Sequence, residues 1–135
     1  MLGGNTMPST LSTLTIQTLR ASYLPERFVN KIIRDCESIF SKSIEDLMYI
    51  VLFGSCAKGT LDINSDVDLL VLTKETINRT IKADLHHELA EEIDGVSTDI
   101  IFYNLDTYLQ SDCLLVKEVK KYGKILWRDS QYDRE

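Results

Sequence analysis

The sequence predicts an α+β fold, α/β-like in its layering: a small mixed β-sheet flanked by helices. Three observations carry that expectation. Short apolar runs at residues 48–53, 67–72 and 96–103 are each bounded by turn formers, as buried strands are. Before and between them, apolar residues repeat at three and four positions, the helical period. The resulting order is helix, strand, strand, helix, strand, helix within 135 residues, the length of one domain.

Residues 1–8 hold two glycines, Pro8 and polar side chains, and read as a frayed start. Over 10–24, Leu11, Leu14, Leu19 and Tyr23 give a weak helical pattern, which Pro25 ends or turns into the opening of the next helix. Phe28, Val29, Ile32, Ile33, Cys36, Ile39 and Phe40 make 26–40 an amphipathic helix. Gly54 halts the first strand, 55–66 is rich in turn formers, and the second strand follows. Ile77, Ile81, Leu85, Leu89 and Ile93 recur at fours, so 75–93 reads as a helix stopped by Asp94-Gly95. After the third strand, Asp106 is positioned to cap a last helix running to Tyr122. Lys117, Lys120 and Lys121 lie near its C-terminus and Gly123 ends it. Residues 125–127 add an edge strand. The expected division is an N-terminal extension (1–25, partly helical), a main domain (26–128) and a polar tail (129–135).

Composition excludes several classes. With 44% hydrophobic and 27% charged residues the chain can build a core, so wholesale disorder is excluded. Fifteen basic against twenty-one acidic residues give a charge of −6. That balance suits a divalent metal or a basic partner and disfavours nucleic acid, particularly the cationic channel of a templated polymerase. Cys36, Cys56 and Cys113 make an odd set without CxxC spacing, so neither a disulfide framework nor a Cys-based zinc site is supported. A reducing cytoplasm is the expected compartment. No apolar run approaches the roughly 20 residues of a membrane span, and no basic-then-apolar leader opens the chain.

The chemistry concentrates in residues 52–71. Gly54-Ser55 directly follows a buried strand, where glycine permits a sharp turn and the exposed amides and hydroxyl can bind phosphate oxygens. Ten residues later, Asp66 and Asp68 stand two apart at the start of a strand, so both carboxylates project from one face. Their mutual repulsion is relieved by a cation between them, and Mg²⁺ is the usual one. Asp99 interrupts an apolar strand; if that strand neighbours the second, it completes a three-carboxylate cluster. Near-miss motifs fail on single residues. A P-loop would need lysine where Thr60 stands. A calcium loop would need glycine at Val67 and glutamate at Thr73. A G-x-S-x-G elbow would need a glycine two before Ser55, where Phe53 stands.

Gly54-Ser55, Asp66-x-Asp68 and Asp99 together resemble the nucleotidyltransferase superfamily that includes DNA polymerase beta. The chain is most similar to its minimal nucleotidyltransferases, small members encoded beside HEPN-domain proteins. The likeness spans about residues 49–127, including Leu52-Phe53-Gly54-Ser55, Asn64-Ser65 and Tyr122-Gly123-Lys124-Ile125-Leu126-Trp127. It implies a polymerase beta-like fold with 26–128 as the nucleotidyltransferase domain. It also implies Mg²⁺-dependent transfer of a nucleoside monophosphate, AMP from ATP, to an acceptor hydroxyl on a HEPN-type partner, with the chain acting as antitoxin. Asp66, Asp68 and Asp99 would be catalytic and would ligate two Mg²⁺ ions; Gly54, Ser55 and Lys58 would bind nucleotide. Many minimal members carry Arg just after Gly-Ser, where this chain has Cys56; Lys58 can supply some of that charge. Two alternatives stay open: transfer to a small molecule of aminoglycoside type, and a non-catalytic antitoxin that binds its toxin. Oligomerisation is compatible with either.

Blander readings stand beside these. Taken alone, Asp66 and Asp68 would cap a turn or face solvent, Asp99 would pair with a lysine, and Lys58 would be a solvated loop residue. Cys56 has no assigned histidine partner and reads as a small loop residue. His86 and His87 point about 100° apart on a helix, unsuited to one metal.

Overall fold

A computed structural model describes residues 8–130. Its element order is α1 (Thr13–Ala21), α2 (Glu26–Ser41), β1 (Leu47–Phe53), α3 (Ser55–Lys58), β2 (Val67–Thr73), α4 (Arg79–Ala90), β3 (Thr98–Asn104), α5 (Leu105–Gln110), α6 (Leu114–Tyr122) and β4 (Lys124–Arg128). The four strands form one mixed sheet in the order β3-β2-β1-β4. β1 runs antiparallel to both β2 and β4, whereas β2 and β3 are parallel and joined across α4. The expected α+β class with a helix-flanked mixed sheet is what the chain adopts, and the short final strand does lie at an edge.

Strand alternation divides the apolar residues between two cores. Ile50 and Leu52 of β1, Val67, Leu69 and Val71 of β2, and Ile100 of β3 pack with α2 and α4 in the larger core. On the opposite face, Val51, Phe53, Leu70 and Leu72 meet Val119 of α6, with Tyr103 and Tyr108 alongside. The second face also carries Asp68 and Asp99, because each is two residues along its strand from a member of that smaller core.

Several boundaries differ from expectation for identifiable reasons. Residues 10–24 shorten to α1 because Ser12 caps it, accepting from the Thr15 amide. The segment's buried residues are Leu19 of α1 and Leu11 just before it, not Leu14 and Tyr23, which are exposed. The helix expected over 75–93 starts only after Asn78, whose side chain accepts from Thr80 and Ile81. Asp94 and Gly95, both at positive φ, do not stop that helix: they form a two-residue turn between Ile93 and Val96, which exchange backbone hydrogen bonds. The last predicted helix is two helices. Asn104, not Asp106, caps the first by accepting from Thr107, and Ser111–Cys113 breaks the run before α6 begins. α2 and the Gly123 stop appear as expected. The first seven residues and 131–135, with most of the expected polar tail, lie outside the described residues.

Candidate active site

Gly54 sits where β1 turns into the single turn of α3, at φ +72°. A side chain there is excluded twice over. The left-handed φ is strained for any L residue, and a Cβ would lie 2.2 Å from an Asp68 carboxylate oxygen. The space a side chain would occupy is taken by the Asp68 carboxylate, because Phe53 and Asp68 are cross-strand partners. The turn after the glycine is locally closed: the Ala57 and Lys58 amides donate to the Gly54 carbonyl, and the Gly59 and Thr60 amides to that of Ser55. The expected turn-former stretch thus contains one helical turn, opened by Ser55 directly after the glycine that abuts Asp68.

Parallel pairing puts Asp68 directly opposite Asp99, on strands about 4.8 Å apart. The condition for a three-carboxylate cluster, adjacency of the second and third strands, is met. Burial pushes the Asp68 carboxyl up to about 6, and the charges of Asp99, Asp66 and Glu118 add to the rise. Glu118, on α6, was not singled out from the sequence. Among the described residues Asp99 forms no ion pair, so the lysine-paired alternative does not hold. Asp66 is exposed, and its Oδ1 accepts from the Ser97 hydroxyl at 3.1 Å. Among the described residues no three His, Cys, Asp or Glu side chains converge closely enough to hold a metal ion as they stand. The carboxylates form a shared field of negative charge rather than a closed cage.

Lys58 is neither free in solvent nor turned onto the carboxylates. Its ammonium lies 3.2 Å from Glu118 Oε1 and 5.7 Å from the centre of the Tyr122 ring. Cys56 is buried, with Sγ 3.6 Å from the Asp66 carbonyl oxygen. Burial and then the charges of Asp68 and Asp66 push its thiol up to about 12, so it is no nucleophile. His86 is exposed, with its ring edge-on to Phe102. No described helix is long and apolar enough to cross a membrane.

A glycine turn filled by a carboxylate, a serine directly after the glycine and a second carboxylate in register on the next strand thus lie together at one end of a mixed sheet. The chain belongs to the polymerase beta nucleotidyltransferase family, whose pattern matches residues 34–132. Within that family it is similar to the protein adenylyltransferase MntA of Shewanella oneidensis, with 32% identity over 110 residues, 82% of this chain and 70% of that one. Solved structures that resemble it in three dimensions include two toxin–antitoxin complexes. A toxin–antitoxin complex with AMP-PNP shares 31% identity, covers 78% of this chain and 77% of that one, and gives a TM-score of 0.54. A mutant MntA toxin–antitoxin complex, also at 31% identity and TM-score 0.54, covers 82% and 79%.

Proposed function

We propose that this nucleotidyltransferase moves AMP from ATP to a hydroxyl on a HEPN-type partner protein, and that it acts thereby as an antitoxin. The observation that carries the reading is the placement of Asp68, lodged in the Gly54 turn and opposite Asp99. That arrangement joins a phosphate-binding turn to the charge that chemistry at phosphorus requires. Similarity to an adenylyltransferase and to an AMP-PNP-bound antitoxin complex supports the choice of adenylate and of a protein acceptor.

Magnesium fits the donor set: the groups acting on Asp68 are hard carboxylates, those of Asp99, Asp66 and Glu118, and no cationic side chain offsets them. Asp66, Asp68 and Asp99 would hold it, with Asp66 released from Ser97. Bound there, Mg²⁺ supplies Lewis-acid stabilisation of the attacking and departing oxygens. The chain's own groups do the rest. The Ser55 hydroxyl and the Ser55 and Cys56 amides, which the turn's internal hydrogen bonds leave over, hold the β- and γ-phosphates, and Lys58 neutralises them after exchanging Glu118 for phosphate. Asp99 accepts the proton of the acceptor hydroxyl as that oxygen attacks the α-phosphorus. The bond from the α-phosphorus to the bridging oxygen breaks, and pyrophosphate leaves. The proposed compartment is the cytoplasm.

The test is incubation with α-labelled ATP, Mg²⁺ and a HEPN-type toxin. Label should appear on the HEPN protein, require Mg²⁺, and vanish with Asp66→Asn/Asp68→Asn. Protection from the toxin by that double variant, with no label transferred by the wild type, would replace the reading with a contact antitoxin.

A further inference from the structure

The larger core contains an ion pair that catalysis does not use. Lys31 and Asp35 stand one turn apart on α2 and are 1% and 3% exposed. Lys31 Nζ donates to Asp35 Oδ1 at 2.6 Å, to the Leu89 carbonyl at the end of α4 at 3.0 Å, and to Thr98 Oγ1 at 2.9 Å. The Thr98 hydroxyl in turn donates to Asp35 Oδ2. Among the described residues no buried side-chain nitrogen or oxygen is left without a partner. Desolvating two charges is costly enough that apolar residues of similar size often stabilise such a position equally well or better. Stability alone therefore does not account for the pair.

Its geometry suggests what does. Thr98 is the first residue of β3, an edge strand paired only with β2. Ile100 and Phe102 face the larger core and Ile101 and Tyr103 the smaller, so β3 is apolar on both faces. Hydrophobicity then discriminates weakly between registers, and a slip of one residue would exchange the faces of Thr98 and Asp99. A slip of two would present Val96 or Ile100 to the ion pair and leave buried donors and acceptors unmade, which costs far more than the bonds gain. The hydroxyl of Thr98 accepts from Lys31 while donating to Asp35, and an apolar side chain at that position can do neither.

We propose that Lys31 and Asp35 are a register key for β3: by receiving the Thr98 hydroxyl they hold Asp99 opposite Asp68. Lys31, Asp35 and Thr98 are thus positioning residues for the carboxylate site. This inference rests on the reading of Asp99 given above.

Thr98→Val keeps the shape and β-propensity but removes the hydroxyl; Thr98→Ser retains it. In Thr98→Val, the expected result is faster amide hydrogen exchange along β3 in metal-free protein and at least a tenfold loss of kcat for labelled AMP transfer. The Mg²⁺ concentration for half-maximal rate should rise, while KM for ATP stays within about threefold. Thr98→Ser should return all of these towards wild type. Because Thr98→Val leaves the charges short of a bond and can fail to fold, Lys31→Met/Asp35→Leu/Thr98→Val supplies an apolar replacement of the whole network. That variant should fold with an undiminished melting temperature yet show the same kinetic loss. Wild-type β3 exchange and kcat in either folded variant, or a serine variant as impaired as the valine one, would overturn the key. Absence of Mg²⁺-dependent transfer by the wild type would overturn the functional reading itself.

Discussion

Asp68→Asn should make the metal-free protein more stable while destroying its site. The Asp68 carboxyl is pushed from 3.8 up to about 6 by burial and by Asp99, Asp66 and Glu118. In the window between those values the folded state binds more protons than the unfolded one, so wild-type stability falls as pH rises through it. At full value the rise corresponds to roughly 3 kcal/mol of destabilisation above pH 6; solvent reaching this partly exposed group reduces it to about 1–2 kcal/mol. Replacing the charge with a neutral amide of the same shape removes that penalty. For a domain of this size, the melting temperature in EDTA at pH 7.5 should rise by roughly 3–8 °C. At pH 5, where the native carboxyl is already largely protonated, the advantage should be about half as large. Millimolar Mg²⁺ with an ATP analogue should reverse the ranking, stabilising the wild type and not the variant. Thermal melts by circular dichroism across pH, with and without metal, read all of this. A variant that melts lower than wild type in EDTA at pH 7.5, or whose advantage does not shrink at pH 5, would refute the argument that Asp68 is electrostatically strained.

Gly54→Ala should be harmful in both respects, since the added Cβ meets Asp68 at 2.2 Å and φ is +72°. A loss of about 2–3 kcal/mol in chemical denaturation is expected, summing left-handed strain and displacement of the carboxylate, together with loss of Mg²⁺-dependent nucleotide binding by calorimetry. Among the cysteines, Cys113 should alkylate first: it is exposed, and hydrogen bonding, chiefly with Ser111, holds its thiol below the usual range. Cys36 and Cys56, both buried with their thiols raised, should react only on unfolding, as peptide mapping after brief iodoacetamide treatment would reveal.

The arrangement of the candidate site was legible because its geometry is local. A glycine at a strand end and two aspartates at strand period state their own faces, whichever elements surround them. Asp99 needed one non-local fact, that β3 joins β2 in parallel, and the helical period of the intervening segment was the sequence sign of that crossover. Glu118 was hidden by treating 106–122 as one helix. Ser111 and Asp112 are residues that favour helix caps over helix interiors, and reading them as a break would have reset the phase of α6 and turned attention to which of its residues faces the sheet.

The register key was hidden differently, for its signal was present but pointed the wrong way. Phe28, Ile32, Cys36 and Ile39 trace the buried stripe of α2, and Lys31 and Asp35 fall within it. Charges on an apolar stripe are ordinarily read as its solvated margin. Distant partners, the Leu89 carbonyl and the Thr98 hydroxyl, make them tolerable inside. A four-residue spacing of opposite charges on the buried side of a helix, followed far downstream by a hydroxyl residue at the start of an apolar strand, is therefore readable as a polar lock. The strand it secures here is the one that presents the third carboxylate.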